Sequence, residues 1–191
     1  MVYSPPIAVY DACVLYPFHL RNLLIQCAVD RLVDARGTDA IHDEWIRSLA
    51  TGSSAVSLER LQRTRDLMNT VLPDATVSGY EAYLDKVSLH DPDDRHVVAA
   101  AIAAGASLII TWNVRDFPPG ELAEHKLRCQ TPDTLLMNLY ADLPDLAIES
   151  TQRARTNLTR TRPSAASFVE ALQSQGLERF SSVMKKHLGQ I

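Results

Sequence analysis

The sequence predicts an α/β fold, a parallel sheet covered by helices on both faces, followed by a purely helical stretch. Two observations carry this expectation. Short apolar runs alternate with longer helical patterns through about residue 140, and that alternation implies parallel strands joined by crossover helices. From Asp145 onward only helical patterns remain.

Ile7-Ala8-Val9-Tyr10 is a short apolar run ending at Asp11 and reads as a buried strand. Pro17 opens a helix with apolar residues at Leu20, Leu23, Leu24, Cys27, Ala28 and Leu32, and Gly37 stops it. A second helix follows Asp39 and ends near Gly52. A third runs from Ser57 to Leu72, before Pro73. Ala75-Thr76-Val77 is a candidate second strand. Asp91-Pro92-Asp93-Asp94 is a loop whose acids cap the next helix, which runs through Ala104 and stops at Gly105. Ser107 to Thr111 reads as a core strand, and Asp116 to Gly120 as a loop with two prolines. Thr131-Pro132 starts a helix in the favoured order of cap then proline, running to about Tyr140. Pro163 then separates helices over Asp145–Arg162 and Ser164–Gln175. Gly176 caps the second of these ahead of a last helix carrying Leu177, Phe180, Val183, Met184 and Leu188.

The chain has 191 residues, 46% hydrophobic and 22% charged, which suits one domain with a small appendage and excludes a disordered chain. The Ala-rich run from Val97 to Trp112 falls short of the roughly 18 residues that a bilayer span needs, so no membrane association is expected. No basic-then-apolar leader opens the chain, so no secretory signal is expected. Three cysteines without a Cys-x-x-Cys argue against a disulfide scaffold or a cysteine-built zinc site and for the cytoplasm. Charge is uneven. Residues 1–149 carry 12 of the 19 basic and 21 of the 23 acidic side chains, a net −9, whereas residues 150–191 carry +5. An acidic body with a basic tail signals partner binding rather than fold.

Gly-rich phosphate loops, a Gly-x-Ser-x-Gly elbow and a His-x-x-x-His pair are all absent from the sequence. What the sequence offers is acids at the ends of elements. Asp11 follows the first strand, Glu44 lies near the start of a helix, Asp91, Asp93 and Asp94 open another, and Asp116 follows the last clear strand, three residues after Asn113. In a parallel sheet, ligands gather beyond the carboxyl ends of strands, and right-handed crossovers bring helix starts to that same edge. Carboxylates meeting there repel unless a cation neutralises them, and hard oxygens suit Mg²⁺ or Mn²⁺. Each acid also has a plainer reading, as turn residue, helix cap or solvated side chain, and spacing leaves both open. By helical arithmetic His96 stands about 200° from Asp94, which favours a structural role. Trp45 and Trp112 could stack on bases, with buried packing preferred. Cys13, without an evident base beside it, reads as a small buried side chain.

Four segments, in order, resemble the PIN-domain ribonucleases: Tyr10-Asp11-Ala12-Cys13-Val14-Leu15-Tyr16-Pro17, His42-Asp43-Glu44-Trp45-Ile46, Asp91-Pro92-Asp93-Asp94-Arg95-His96-Val97 and Thr111-Trp112-Asn113-Val114-Arg115-Asp116-Phe117-Pro118. The likeness covers roughly residues 5–143 and is nearest the VapC-like toxins. It implies a PIN-like α/β/α sandwich over residues 5–143, with residues 145–191 as a helical C-terminal extension. It implies a divalent-metal-dependent endoribonuclease, the toxin of a bacterial type II toxin–antitoxin pair. Its substrate would be RNA and its partners a protein antitoxin and a second copy of the chain. Carried over, the resemblance makes Asp11, Glu44, Asp94 and Asp116 ligands of Mg²⁺ or Mn²⁺, with Asn113 completing the site and Asp93 the fallback for Asp94. Arg95 and Arg115 become candidates for RNA phosphates, or for pairing with neighbouring acids. Arg153, Arg155, Arg160 and Arg162 are a candidate phosphate strip on the extension, against the reading that the extension packs on the body or on a partner. The rival class is a catalytically silent PIN-like module that binds RNA or protein.

Overall fold

The computed structural model describes residues 3–52 and 56–191. Its centre is a four-stranded, all-parallel sheet in the order β2-β1-β3-β4, built from β1 (Ile7–Tyr10), β2 (Asp34–Arg36), β3 (Leu108–Ile110) and β4 (Arg128–Gln130). The two middle strands are the apolar ones. Val9, Tyr10, Ile109 and Ile110 are almost wholly buried, as expected of strands covered on both faces. The chain leaves β1 toward β2 on one side and later returns past β1 to β3 on the other. Right-handed crossovers therefore put the first helices on one face and α5 (Arg95–Ala103) on the opposite face. The reversal of strand order falls between β1 and β3, which is where open α/β sheets place ligands.

Around the sheet stand α1 (Ala12–Leu15), α2 (Phe18–Val29), α3 (Asp39–Gly52), α4 (Leu58–Val71), α5, α6 (Pro119–Glu124) and α7 (Pro132–Asp142). Capping follows the sequence. Ser57 accepts from the Arg60 amide at the start of α4, and Thr131 accepts from the Thr134 amide at the start of α7. Short 3-10 turns cover Tyr80–Lys86, Pro92–Asp94 and Val114–Asp116.

Several expectations are corrected. The first long helix ends at Val29 rather than Gly37, because Arg31 takes a left-handed conformation (φ 59°) and turns the chain into β2. Ala75–Val77 is no full strand. It meets Gly37 through one isolated bridge, with the Gly37 amide donating to the Ala75 carbonyl at 3.0 Å. The proline loop at 116–120 already contains the start of α6, since Pro119 suits a first helical turn. The Asp145–Arg162 helix is shorter, running as α8 from Pro144 to Thr156.

The extension continues with α9 (Ala165–Ser174) and α10 (Glu178–Met184). Ile148, Ala154, Phe168, Val169, Leu172, Phe180 and Met184 belong to the same buried cluster as the sheet residues, so body and extension share one core. Asp133, at the start of α7, accepts from the Phe180 amide at 2.9 Å and so pins the start of α10. Among the described residues no helix is long and apolar enough to cross a membrane.

Candidate active site

Strand register builds the first part of the site. Tyr10 pairs with Ile110, so the next residues, Asp11 and Thr111, become neighbours at the carboxyl ends of β1 and β3. The Asp11 amide donates to the Ile110 carbonyl at 3.1 Å, and the Thr111 hydroxyl donates to Asp11 Oδ2 at 2.6 Å. The Ala12 amide donates to Oδ1 at 2.7 Å, and the Cys13 thiol donates to Oδ2 at 3.1 Å. A carboxylate only 4% exposed needs such donors. With both oxygens held, Asp11 is fixed in direction. Asp11 also caps α1, so the plain capping reading and the site reading describe the same side chain.

The other acids arrive at this edge by the crossovers. Glu44 projects from the first half of α3. Asp94 ends the 3-10 turn ahead of α5, and Asp116 closes the turn after β3. Their charges act on one another. Burial, then the carboxylates of Asp11, Asp116, Asp91 and Glu44, push the Asp94 carboxyl up to about 6. Burial, then Asp11, also push Glu44 up, while His96 and Arg47 pull it down. Asn113 and Asp116 are exposed, and Asn113 starts the turn through its carbonyl, which accepts from the Asp116 amide at 2.9 Å. Asp93 is exposed, and its amide donates to Asp91 at 2.9 Å.

The donor chemistry is that of a hard divalent cation, with carboxylate oxygens only and mutual repulsion for a cation to relieve. Among the described residues no three His, Cys, Asp or Glu side chains stand close enough together to hold a metal ion as they are placed. A cleft of about 270 Å³ between Ala12, Cys13, Tyr16, Glu44, Trp45 and Ser48 adjoins the acids. A larger cleft, about 450 Å³, lies beside β2 and is lined by Asp34, Arg36 and Val71 to Ala75, with none of these acids in it.

The neighbours settle several open readings. Trp45 is fully buried and donates its indole N–H to His42 Nδ1 at 3.0 Å, so it is core. Burial, then Asp11, push the Cys13 thiol up to about 12, which leaves no thiolate for nucleophilic attack. His96 Nε2 stands 3.7 Å from Glu44 Oε2, and Asp94 belongs to the 3-10 turn ahead of α5, so helical arithmetic does not run across that junction. Thr111 was missed. A hydroxyl residue directly after an apolar strand, at the reversal of strand order, is the signal that marks it.

Of the candidate cations, Arg95 and Arg115 flank the acids, and among the described residues neither is in an ion pair. The strip on the extension is not uniform. Arg153 pairs with Asp30 at 2.6 Å and with Glu149 at 3.1 Å. Arg155 donates to the carbonyls of Ile191 at 2.9 Å and Pro163 at 3.0 Å. Those two side chains are spent within the chain, while Arg160 and Arg162 are exposed near the turn after α8.

No curated protein and no solved structure matches the chain. Two family models do. The VapC50 C-terminal domain matches residues 132–186, from α7 through the extension. The PIN domain model matches residues 8–115, from β1 through the turn after β3, which is more than half of the sequence and includes Asp11, Glu44 and Asp94. The chain belongs to the PIN-domain family of nucleases, in its VapC-like branch.

Proposed function

We propose that the chain is a divalent-metal-dependent endoribonuclease and the toxin of a type II toxin–antitoxin pair, with a protein antitoxin as partner. The observation that carries the reading is the shared field of Asp11, Glu44, Asp94 and Asp116 at the carboxyl edge of the two central strands. In this reading Asp11, Glu44, Asp94 and Asp116 hold Mg²⁺ or Mn²⁺, and Asn113 orients the open side. The bound cation supplies polarisation of a phosphodiester oxygen and of a water molecule. The chain's own groups do the rest. Asp11 is held by Thr111, Cys13 and the Ala12 amide, so it presents one fixed direction without ordering cost. Glu44 is pushed up by burial and by Asp11, the direction a proton acceptor working near neutral pH requires. Arg95 and Arg115 meet RNA phosphates within a body that carries a net −9.

The test is cleavage of defined single-stranded and structured RNAs, and of DNA of the same sequences, with Mg²⁺, with Mn²⁺ and with EDTA. Internal cleavage of RNA that EDTA abolishes supports the reading. Faster cleavage of DNA contradicts the ribonuclease assignment, and RNA binding without cleavage under any metal favours the silent module.

A further inference from the structure

The acidic edge contains one nitrogen donor that the carboxylate reading leaves unused. We propose that His96 is a metal ligand, its Nε2 forming with Glu44 a mixed nitrogen–oxygen position that favours a divalent transition-metal ion over Mg²⁺. This inference rests on the metal-dependent reading of the site above.

The ring's own hydrogen bonding points this way. His96 Nδ1 lies 2.6 Å from the Asp93 carbonyl oxygen. A carbonyl only accepts, so Nδ1 carries the hydrogen and Nε2 of the neutral ring presents a lone pair. Imidazoles that bind metals are held in this manner, the second N–H given to a backbone carbonyl or a carboxylate. Nε2 is out of solvent contact and has no hydrogen-bond partner, a costly state for a buried polar atom that has no use. The group it faces is Glu44 Oε2, 3.7 Å away. That is too far for a hydrogen bond and inside the about 4.2 Å that two metal–ligand bonds of about 2.1 Å can span.

The surroundings favour a cation. Asp11 and Asp93 face Glu44 with like charge, opposed by Arg47 and, when it is protonated, by His96 itself. His96 and Glu44 give two donors beside the other carboxylates of the site, and water or phosphate oxygens fill the remaining positions. A site of carboxylates alone suits Mg²⁺, whereas an imidazole nitrogen shifts preference toward first-row transition ions. The competing account is a simple ion pair between a charged His96 and Glu44, which needs no metal.

The experiment uses the full chain with Mn²⁺ as a paramagnetic probe. Electron spin-echo modulation of protein-bound Mn²⁺ reads nitrogen coordination directly in the wild type. Imidazole nitrogen modulation is expected. Calorimetric titrations with Mn²⁺ and Mg²⁺ are then compared between wild type and His96→Asn, whose amide keeps a donor for the Asp93 carbonyl and lacks Nε2. Loss of the modulation, a fall in Mn²⁺ affinity of at least about tenfold and a change in Mg²⁺ affinity of no more than about threefold are expected. Bound Mn²⁺ without nitrogen modulation, or equal losses for both ions, overturns the His96 inference and leaves the carboxylate site standing. Absence of any Mn²⁺ or Mg²⁺ binding overturns both.

Discussion

Gly176 lies directly under the indole of Trp112: a Cβ placed at 176 would stand 2.9 Å from Cη2 and 3.0 Å from Cζ2 of that ring. Trp112 follows Thr111, the residue that anchors Asp11, and Gly176 sits in the turn between α9 and α10. The extension is thus in contact with the strand end that builds the site. Gly176 also has φ 98°, a conformation costly for any residue with a Cβ. Gly176→Ala is expected to cost about 1–3 kcal/mol, read by denaturant unfolding. A ring pushed from its seat should also lower RNA cleavage at temperatures where the variant remains folded.

Asp94 sets a pH dependence. Its folded-state carboxyl sits at about 6, above the ordinary 3.8. Between those values the native state binds more protons than the unfolded one, so stability falls as pH rises through that window. Above about pH 6 the full penalty is present; below about pH 4 it is gone. Because the group is only partly buried and solvent screens it, the expected size is on the order of 1 kcal/mol. Metal-free protein should melt higher at pH 4.5 than at pH 7 through this group, and Asp94→Asn should flatten that difference. A variant that melts lower than wild type at pH 7 without metal would contradict it.

Thr111→Val removes one hydroxyl and keeps the shape. Asp11 Oδ2 then retains only the Cys13 thiol. A buried acceptor left short of a donor costs about 1–3 kcal/mol, and a loosened ligand costs about 10–100-fold in activity or metal affinity. Thr111→Ser should recover most of the activity. Equal activity for Val and Ser would show that the anchor does not matter.

The extension behaves as core. Phe168 is fully buried in the cluster shared with the sheet, so Phe168→Ala is expected to cost about 3–5 kcal/mol. Replacing Arg153, Arg155, Arg160 and Arg162 together by Ala should lower the melting temperature, because Asp30 and the Ile191 carbonyl lose their partners. The salt slope of RNA binding should change by less than about one unit. A slope shallower by two units or more would restore the phosphate strip.

The central strands were legible because Ile7–Tyr10 and Leu108–Ile110 are apolar on both faces. The edge strands were not. Asp34-Ala35-Arg36 and Arg128-Cys129-Gln130 carry polar side chains, as edges do, and no apolar run announces them. Their turns were hidden too. Gly105, with φ 61°, openly marks the approach to β3, whereas Arg31 and Lys126, each with φ 59°, do the same before β2 and β4 without a glycine to show it. At the site, acids at element ends could be read from order alone. The Asp11–Thr111 contact depends on strand register, and the His96–Glu44 approach on how two separate helices are brought together, neither of which periodicity records.

In the proposed metal-dependent ribonuclease site, Asp11 is the most firmly held carboxylate. The most direct measurement is cleavage of one defined RNA in Mg²⁺ by wild type and by Asp11→Asn, with circular dichroism and melting followed on the same samples. Cleavage is expected to fall by about 10²-fold or more in a variant that keeps its spectrum and melts no lower than wild type without metal. Cleavage by Asp11→Asn at the wild-type rate would contradict it.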